Sequence, residues 1–165
     1  MSHANPQSRL NYADQSPELA RKLQDFSMAI ANSGHLEPGL SWLVDIRASQ
    51  MNGCAFCLDM HVKEAKLHGE RELRLYHVAT WRESPLFTRR ERAALAWTEA
   101  LTQMAPTGIP DDLYAELIEQ FSEKELSTLT FRVMGINAWN RVNVAFRTTP
   151  GTHDKAFGLD KARLA

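Results

Sequence analysis

The chain has 165 residues, a formal net charge of −1, 44% hydrophobic and 24% charged residues, which fits a single globular domain spanning 1–165 that buries its apolar surface without disulfide staples. The near-zero charge gives no electrostatic case for binding nucleic acid or an anionic membrane. No stretch approaches the ~20 apolar residues of a membrane span.

Met1 to Leu10 is polar and lacks the apolar segment of a signal peptide, so a cytoplasmic address is expected. Residues 1–15 read as an extended or partly ordered N-terminal arm. Ser16-Pro17-Glu18 then sets a cap, a first-turn proline and a first-turn acid in order. A helix is predicted from Pro17 to Asn32, with Leu19, Leu23, Phe26 and Ile30 as its apolar stripe and Gly34 closing it. Glu37-Pro38 opens a second helix reaching to about Gln50. A third is expected from about Gly53 to Leu67, with Lys63, Glu64 and Lys66 on a solvated face.

Further helices are predicted over 70–80, from the capping box Thr88-Arg89-Arg90-Glu91 to Met104, from a cap at Asp111 to Phe121, and from the second capping box Ser122-Glu123-Lys124-Glu125 to Phe146. Residues 147–165 read as a polar C-terminal tail. No segment alternates with period 2 between turn signals, so the expected fold is all-α, a compact bundle of six or seven helices.

The chemistry concentrates in Asn52-Gly53-Cys54-Ala55-Phe56-Cys57-Leu58-Asp59-Met60-His61, which holds both cysteines of the chain. On a helix, Cys54 to Cys57 is an i,i+3 step and Cys57 to His61 an i,i+4 step, so two thiols and an imidazole share one face. Asn52-Gly53 is a turn signal, which places Cys54 at the helix start, where unpaired N–H groups favour a thiolate. Helical i,i+3 spacing is wider than a disulfide accepts, so the first turn must adjust on oxidation. Three ligands on one helix leave a tetrahedral zinc short of a partner, so no metal is expected. Two inert, buried cysteines are the plainer alternative.

The run Ile46-Arg47-Ala48-Ser49-Gln50 leading into Asn52-Gly53-Cys54-Ala55-Phe56-Cys57 and His61 resembles the core motif of the carboxymuconolactone decarboxylase/alkylhydroperoxidase D-like family. Trp81-Arg82-Glu83, Phe87-Thr88, Glu91-Arg92-Ala93-Ala94-Leu95 and Asn137-Ala138-Trp139-Asn140-Arg141 resemble its cysteine-bearing branch, so the likeness spans most of 37–146. The resemblance implies a thiol-dependent peroxidase or disulfide oxidoreductase that reduces hydroperoxides, with Cys57 meeting the peroxide, Cys54 resolving it and His61 moving protons. It implies no bound organic cofactor, an external dithiol as electron donor, and a homotrimer or homohexamer. The four tryptophans Trp42, Trp81, Trp97 and Trp139 also point to self-association. A lactone-acid decarboxylase and a non-enzymatic, redox-sensing helical oligomer are the alternatives.

Two positions depart from the family pattern. Members with this motif commonly carry a glutamate twelve residues before the first cysteine, acting with the histidine; here that position is Trp42. Glu37 and Asp45 are the nearby acids, and Glu37, which precedes its helix and can fold back, is the expected substitute. Some branches have a histidine just before the second cysteine, where this chain has Phe56, which points to an apolar pocket and an organic substrate. His35, His68 and His77 read as ordinary histidines. Asn137, Asn140 and Arg141 continue the stripe of Leu129 and Val133, so they need partners, either across a subunit contact or along an active-site wall, and structural use is expected ahead of direct substrate contact.

Overall fold

The computed structural model of the protein describes residues 8–162. Among the described residues every regular element is helical: α1 (Tyr12–Gln15), α2 (Pro17–Asn32), α3 (Pro38–Asn52), α4 (Ala55–Leu67), α5 (Glu72–His77), α6 (Arg89–Thr102), α7 (Asp111–Gln120), α8 (Glu123–Phe146) and α9 (Asp154–Phe157), with 3-10 turns at Val78–Thr80 and Leu159–Lys161. Seven of these run six residues or more and two are single turns, in keeping with the all-α expectation. None is long and apolar enough to cross a membrane.

The two capping boxes form as the spacing requires. Glu91 N donates to Thr88 Oγ1 at 3.2 Å while Thr88 N donates to Glu91 Oε2 at 2.7 Å, and Ser122 and Glu125 repeat the exchange, so α6 and α8 begin with their first donors satisfied. At α7 the cap is Pro110, and the expected cap Asp111 is the first helical residue.

Helix α3 is the axis of the molecule, packed on α4, α6 and α8. Leu43, Val44, Ile46 and Ala48 are fully buried, so its apolar residues surround the helix instead of forming one stripe. Leu40 and Val44 join Trp97, Leu117, Leu129 and Val133 in one apolar cluster; Leu43 and Ile46 join Trp81, Val78 and Leu95 in a second. Ala48 meets Cys54, Phe56, Cys57 and Ile136 in a third.

Three expectations change at the periphery. Helix α2 has the predicted bounds, but Leu19 is 71% exposed and no α2 residue is fully buried. It lies on α8 and α1, which cannot cover its whole apolar face, and a cavity runs beneath it. The face of α4 expected in water is half covered: Lys63 is buried and donates to Asp59 Oδ2 at 2.6 Å and Asp154 Oδ2 at 2.8 Å. The C-terminal tail causes this by folding back over α4 and burying Leu159 and Ala162. Of the N-terminal arm, residues 1–7 lie outside the described residues. Further on, Arg9 N donates to Phe146 O at 2.9 Å, and the Tyr12 ring packs 6.3 Å from Trp139 and 6.2 Å from Phe146.

Candidate active site

The dithiol is placed by the break between α3 and α4. Gly53 closes α3 in the left-handed region (φ 65°, ψ 29°), a conformation that disfavours side chains. Cys54 follows in an extended conformation as the N-cap of α4, and its Sγ accepts from Cys57 N at 3.3 Å. Cys54 and Cys57 are joined by a disulfide with their Cα atoms 5.4 Å apart. Because Cys54 stands just outside the helix, its side chain is not bound to the helical i,i+3 spacing, and the adjustment expected of the first turn is built into the cap. Both cysteines are buried.

An amide network anchors that break. Asn52 Nδ2 donates to Asn137 Oδ1 at 3.0 Å and Asn140 Oδ1 at 2.9 Å, Asn140 Nδ2 donates to Ser49 Oγ at 3.1 Å, and Arg141 Nη1 donates to Asn137 Oδ1 at 2.8 Å. Asn137 and Asn140 therefore tie the end of α3 to α8, and Arg141 braces Asn137 from within α8. Satisfied buried amides of this kind hold a backbone junction in one geometry.

Beside the dithiol lies a cavity of about 860 Å³ between α2, α4, α8 and the C-terminal tail, with Ile30, Phe56, Met60, Ile136, Trp139 and Leu159 among its walls. Cys57 lines it and Cys54 does not. Phe56 packs edge-on against His153 of the tail, ring centroids 5.5 Å apart. An apolar chamber of this size suits an organic molecule.

His61, one turn after Cys57, stands on the same cavity wall and is buried. Its Nδ1 is 3.3 Å from Glu64 Oε2 and 3.5 Å from Asp45 Oδ2. Two carboxylates at Nδ1 favour the proton on that nitrogen and leave Nε2 for exchange. Asp45 is 1% exposed and is gripped by Arg132 of α8, whose Nε donates to Oδ1 at 3.0 Å and whose Nη2 bonds Oδ2. A chain Arg132–Asp45–His61 thus runs along the cavity wall.

The acids beside His61 are Glu64 and the buried Asp45, not the expected Glu37. Glu37 is exposed at the start of α3, where Arg90 Nη2 donates to its Oε2 at 3.1 Å. Eight helical residues, or about 12 Å, separate it from Asp45. The fixed face of α3 that carries Asp45 is the one turned toward α4 and α8, so no chain reversal is needed. Trp42, at the position of the family glutamate, stacks on His68 with centroids 5.1 Å apart.

Sequence reasoning missed three contributors. Arg132, Glu64 and Asn143 all line the cavity. Asn143 comes three residues after Asn140, so following the polar stripe of α8 one turn further would have found it. Its Nδ2 lies 3.7 Å from Cys57 Sγ. Arg132 carried no local signal, because its partner Asp45 is 87 positions away.

The electrostatics follow from these contacts. Burial works against the charge of Arg132, but the adjacent Asp45 carboxylate outweighs it and holds the guanidinium above its usual range. Burial pushes the Tyr12 phenol up, with the nearby Asn143 amide acting the other way. The hydrogen bond from His61, opposed by burial and aided by the charges of His61 and Arg132, holds Glu64 below its ordinary value of 4.5.

A carboxyl depressed in the folded state stabilises it above the unfolded value and loses that contribution as pH falls through the folded value. Glu64→Gln is therefore expected to be less stable than the wild type near neutrality. The gap should stay under about 1 kcal/mol, since the Glu64 side chain is 39% exposed and screened by water. Urea midpoints of the two proteins should converge well below pH 4.5. A gap that persists there would remove the ionised Glu64 from the account.

Among the described residues no group of three or more His, Cys, Asp or Glu is arranged to hold a metal ion.

The profile of the carboxymuconolactone decarboxylase family matches residues 17–100. An uncharacterised Bacillus subtilis protein, YdfG, is 35% identical over 137 residues, covering 83% of this chain and 92% of its own. The uncharacterised Escherichia coli protein YnjA is 38% identical over 67% of this chain and 60% of its own. A solved structure of a protein of unknown function from Agrobacterium tumefaciens, proposed to be the antioxidant defence protein AhpD, superposes with a TM-score of 0.85. It is 42% identical and covers 88% of this chain and 99% of its own. The debrominase Bmp8 superposes with a TM-score of 0.75 over 91% of this chain and 80% of its own, but at 21% identity this is a likeness of fold alone. The chain, with its paired Cys54 and Cys57 at the mouth of α4, belongs to the carboxymuconolactone decarboxylase family.

Proposed function

We propose that the protein is a thiol-dependent peroxidase that reduces organic hydroperoxides through Cys57 and Cys54 and is recharged by an external dithiol. The observation that carries this reading is the asymmetry of the two sulfurs: Cys57 lines the apolar cavity while Cys54 sits behind it as the helix cap. The antioxidant role proposed for the Agrobacterium neighbour is of the same kind.

The cycle starts from the reduced pair, with Cys57 as thiolate and His61 protonated. The thiolate attacks the terminal peroxide oxygen, the O–O bond breaks, and the departing alkoxide takes the proton of His61. Cys57 becomes a sulfenic acid, its sulfur oxidised by two electrons, and the alcohol is released. His61 then accepts the Cys54 proton, the Cys54 thiolate displaces hydroxide from the Cys57 sulfur, and that proton leaves with the hydroxide as water. The external dithiol attacks Cys57 in turn. Cys54 is the leaving group, and the N–H of Cys57 at its sulfur stabilises it as it leaves. The donor's second thiol then displaces Cys57 from the mixed disulfide, so the donor becomes a disulfide and its two protons return to Cys54 and His61; no bound organic cofactor is called for.

Counting free thiols tests the reading. The dithiol-reduced protein should lose both thiols on one equivalent of cumene hydroperoxide, and repeated turnover should follow once a dihydrolipoyl donor is supplied. Thiols that survive excess hydroperoxide would reject it.

We propose in addition that the chain works as a homo-oligomer. Phe131 and Met134 on α8 and Tyr114 and Ile118 on α7 leave large apolar side chains exposed, as surfaces that meet another copy do. Light scattering at micromolar concentration should return a multiple of the chain mass, and the monomer mass would reject self-association.

A further inference from the structure

Asn143 is the cavity-wall residue whose amide faces Cys57 Sγ, and the cycle above leaves it without a task. It is 3% exposed. Its Nδ2 donates to Trp139 O at 2.9 Å and faces Cys57 Sγ at 3.7 Å, while its buried Oδ1 has no hydrogen-bond partner. The orientation of the amide is fixed by chemistry: flipping it would set Oδ1 against the Trp139 carbonyl, oxygen against oxygen. Buried polar atoms without partners are uncommon and call for an explanation.

The explanation lies in what Cys57 becomes. A disulfide sulfur is a weak acceptor and donates nothing, so the oxidised protein uses neither free side of the amide well. A thiolate is a charged acceptor, and an N–H aimed at it forms the stronger, charge-assisted bond. A sulfenic acid carries an O–H, the donor that Oδ1 lacks. The oxygen bound to Cys57 keeps its hydrogen through the attack, because that hydrogen was on the terminal peroxide oxygen and the alkoxide takes its proton from His61.

We propose that Asn143 is a catalytic residue that hydrogen-bonds the reacting sulfur in both its active states: Nδ2 donates to the Cys57 thiolate, and Oδ1 accepts from the sulfenic O–H that replaces it. The donor half requires only that Cys57 be reduced. The acceptor half rests on the peroxidase reading. In this arrangement each sulfur has its own donor, the Cys57 backbone N–H for Cys54 and the Asn143 amide for Cys57. The two thiols are tuned separately, and the amide holds the sulfenic acid until Cys54 arrives.

The test uses the Cys54→Ser protein, so that Cys57 is the thiol followed, with Asn143→Leu and Asn143→Ala added singly. Leucine keeps the volume and excludes water; alanine is the smaller change should leucine prevent folding, which circular dichroism will show. The ionisable groups that share this wall are Tyr12 on α1, Arg21 on α2, Asp45 on α3, His61 and Glu64 on α4, His68 at its end, Arg132 on α8 and His153 in the tail. All are common to the compared proteins, and Tyr12, on which the Asn143 amide also acts, is held above its ordinary value of 10.0, so a difference that appears below that pH belongs to the Cys57 thiol.

Thiolate absorbance near 240 nm should titrate about one pH unit higher in Asn143→Leu, an order of magnitude less thiolate at a given pH. The shift should be smaller in Asn143→Ala, where water can enter. With one equivalent of cumene hydroperoxide, mass spectrometry should find the one-oxygen sulfenic adduct. When excess cumene hydroperoxide follows, the lifetime of that adduct before a second oxygen is added should be several-fold shorter in the variants. Unchanged titration in a folded variant would overturn the donor role, and an unchanged sulfenic lifetime the acceptor role. A Cys57 that gains no oxygen overturns the peroxidase reading together with the acceptor role, while the titration still judges the donor.

Discussion

Cys57→Ser is expected to abolish peroxide consumption, whereas Cys54→Ser should consume a first equivalent rapidly and then lose sustained turnover. The difference follows from the positions of the two sulfurs. Cys57 faces the chamber in which an organic hydroperoxide would lie, so its loss removes the nucleophile and no other thiol remains on that wall. Cys54, behind it and held by the Cys57 N–H, is the resolving thiol, so its loss leaves the first attack intact and blocks disulfide closure. The serine at Cys54 can still cap α4 through its hydroxyl, so the fold should persist. Stopped-flow consumption of cumene hydroperoxide, with and without a dihydrolipoyl donor, reads both variants. Equal multiple turnover by Cys57→Ser would mean that the sulfurs have been given the wrong roles.

Asp45→Asn should be damaging in two separable ways, and Glu37→Gln should be silent in both. Asp45 is almost fully buried and holds Arg132 by two hydrogen bonds. Replacing the carboxylate with an amide leaves the guanidinium, most of whose side chain is also buried, without its counter-charge. Breaking one partner of such a pair typically costs about 3–5 kcal/mol, roughly 10 °C in melting temperature for a chain of this size. The second effect is on chemistry. His61 keeps Glu64 but loses the buried carboxylate that orients it, and oxidation of the reduced protein should slow by roughly 10²-fold, the scale of an impaired acid or base.

Glu37, exposed and paired with Arg90, contributes only the small energy of a surface ion pair. Melting curves and stopped-flow oxidation of Asp45→Asn, Glu37→Gln and the wild type separate the cases. A slow Glu37→Gln beside a normal Asp45→Asn would return the role to Glu37.

The local rules were legible wherever both partners lie within one turn. The capping boxes of α6 and α8, Pro17 and Pro38 at their helix starts, the glycine at 53 and the i,i+3 and i,i+4 steps from Cys54 to Cys57 to His61 are all short-range statements, and the chain carries them openly. That Asn137 and Asn140 need partners was also readable, because polar groups on an apolar stripe must be satisfied; that the partners are Asn52 and Ser49 on the far helix was not. Short-range reading failed at Asp45, Lys63 and the C-terminal tail for one shared reason. Asp45 acquires Arg132 from 87 positions away and Lys63 acquires Asp154 from 91, and nothing within a helical turn announces either pairing.

What the sequence by itself determined, then, is the helical class, the break at Gly53 and the presence of a dithiol with an imidazole one turn beyond it, because each depends on backbone propensity and helical period. Only the tertiary structure decided which acid serves His61, which sulfur opens on a cavity and which amide faces it. Those choices depend on how α3, α4 and α8 are rotated against one another and on the tail closing over α4. Rotation is set by the packing of buried side chains from distant segments, and periodicity along one helix carries no information about the face its neighbour presents.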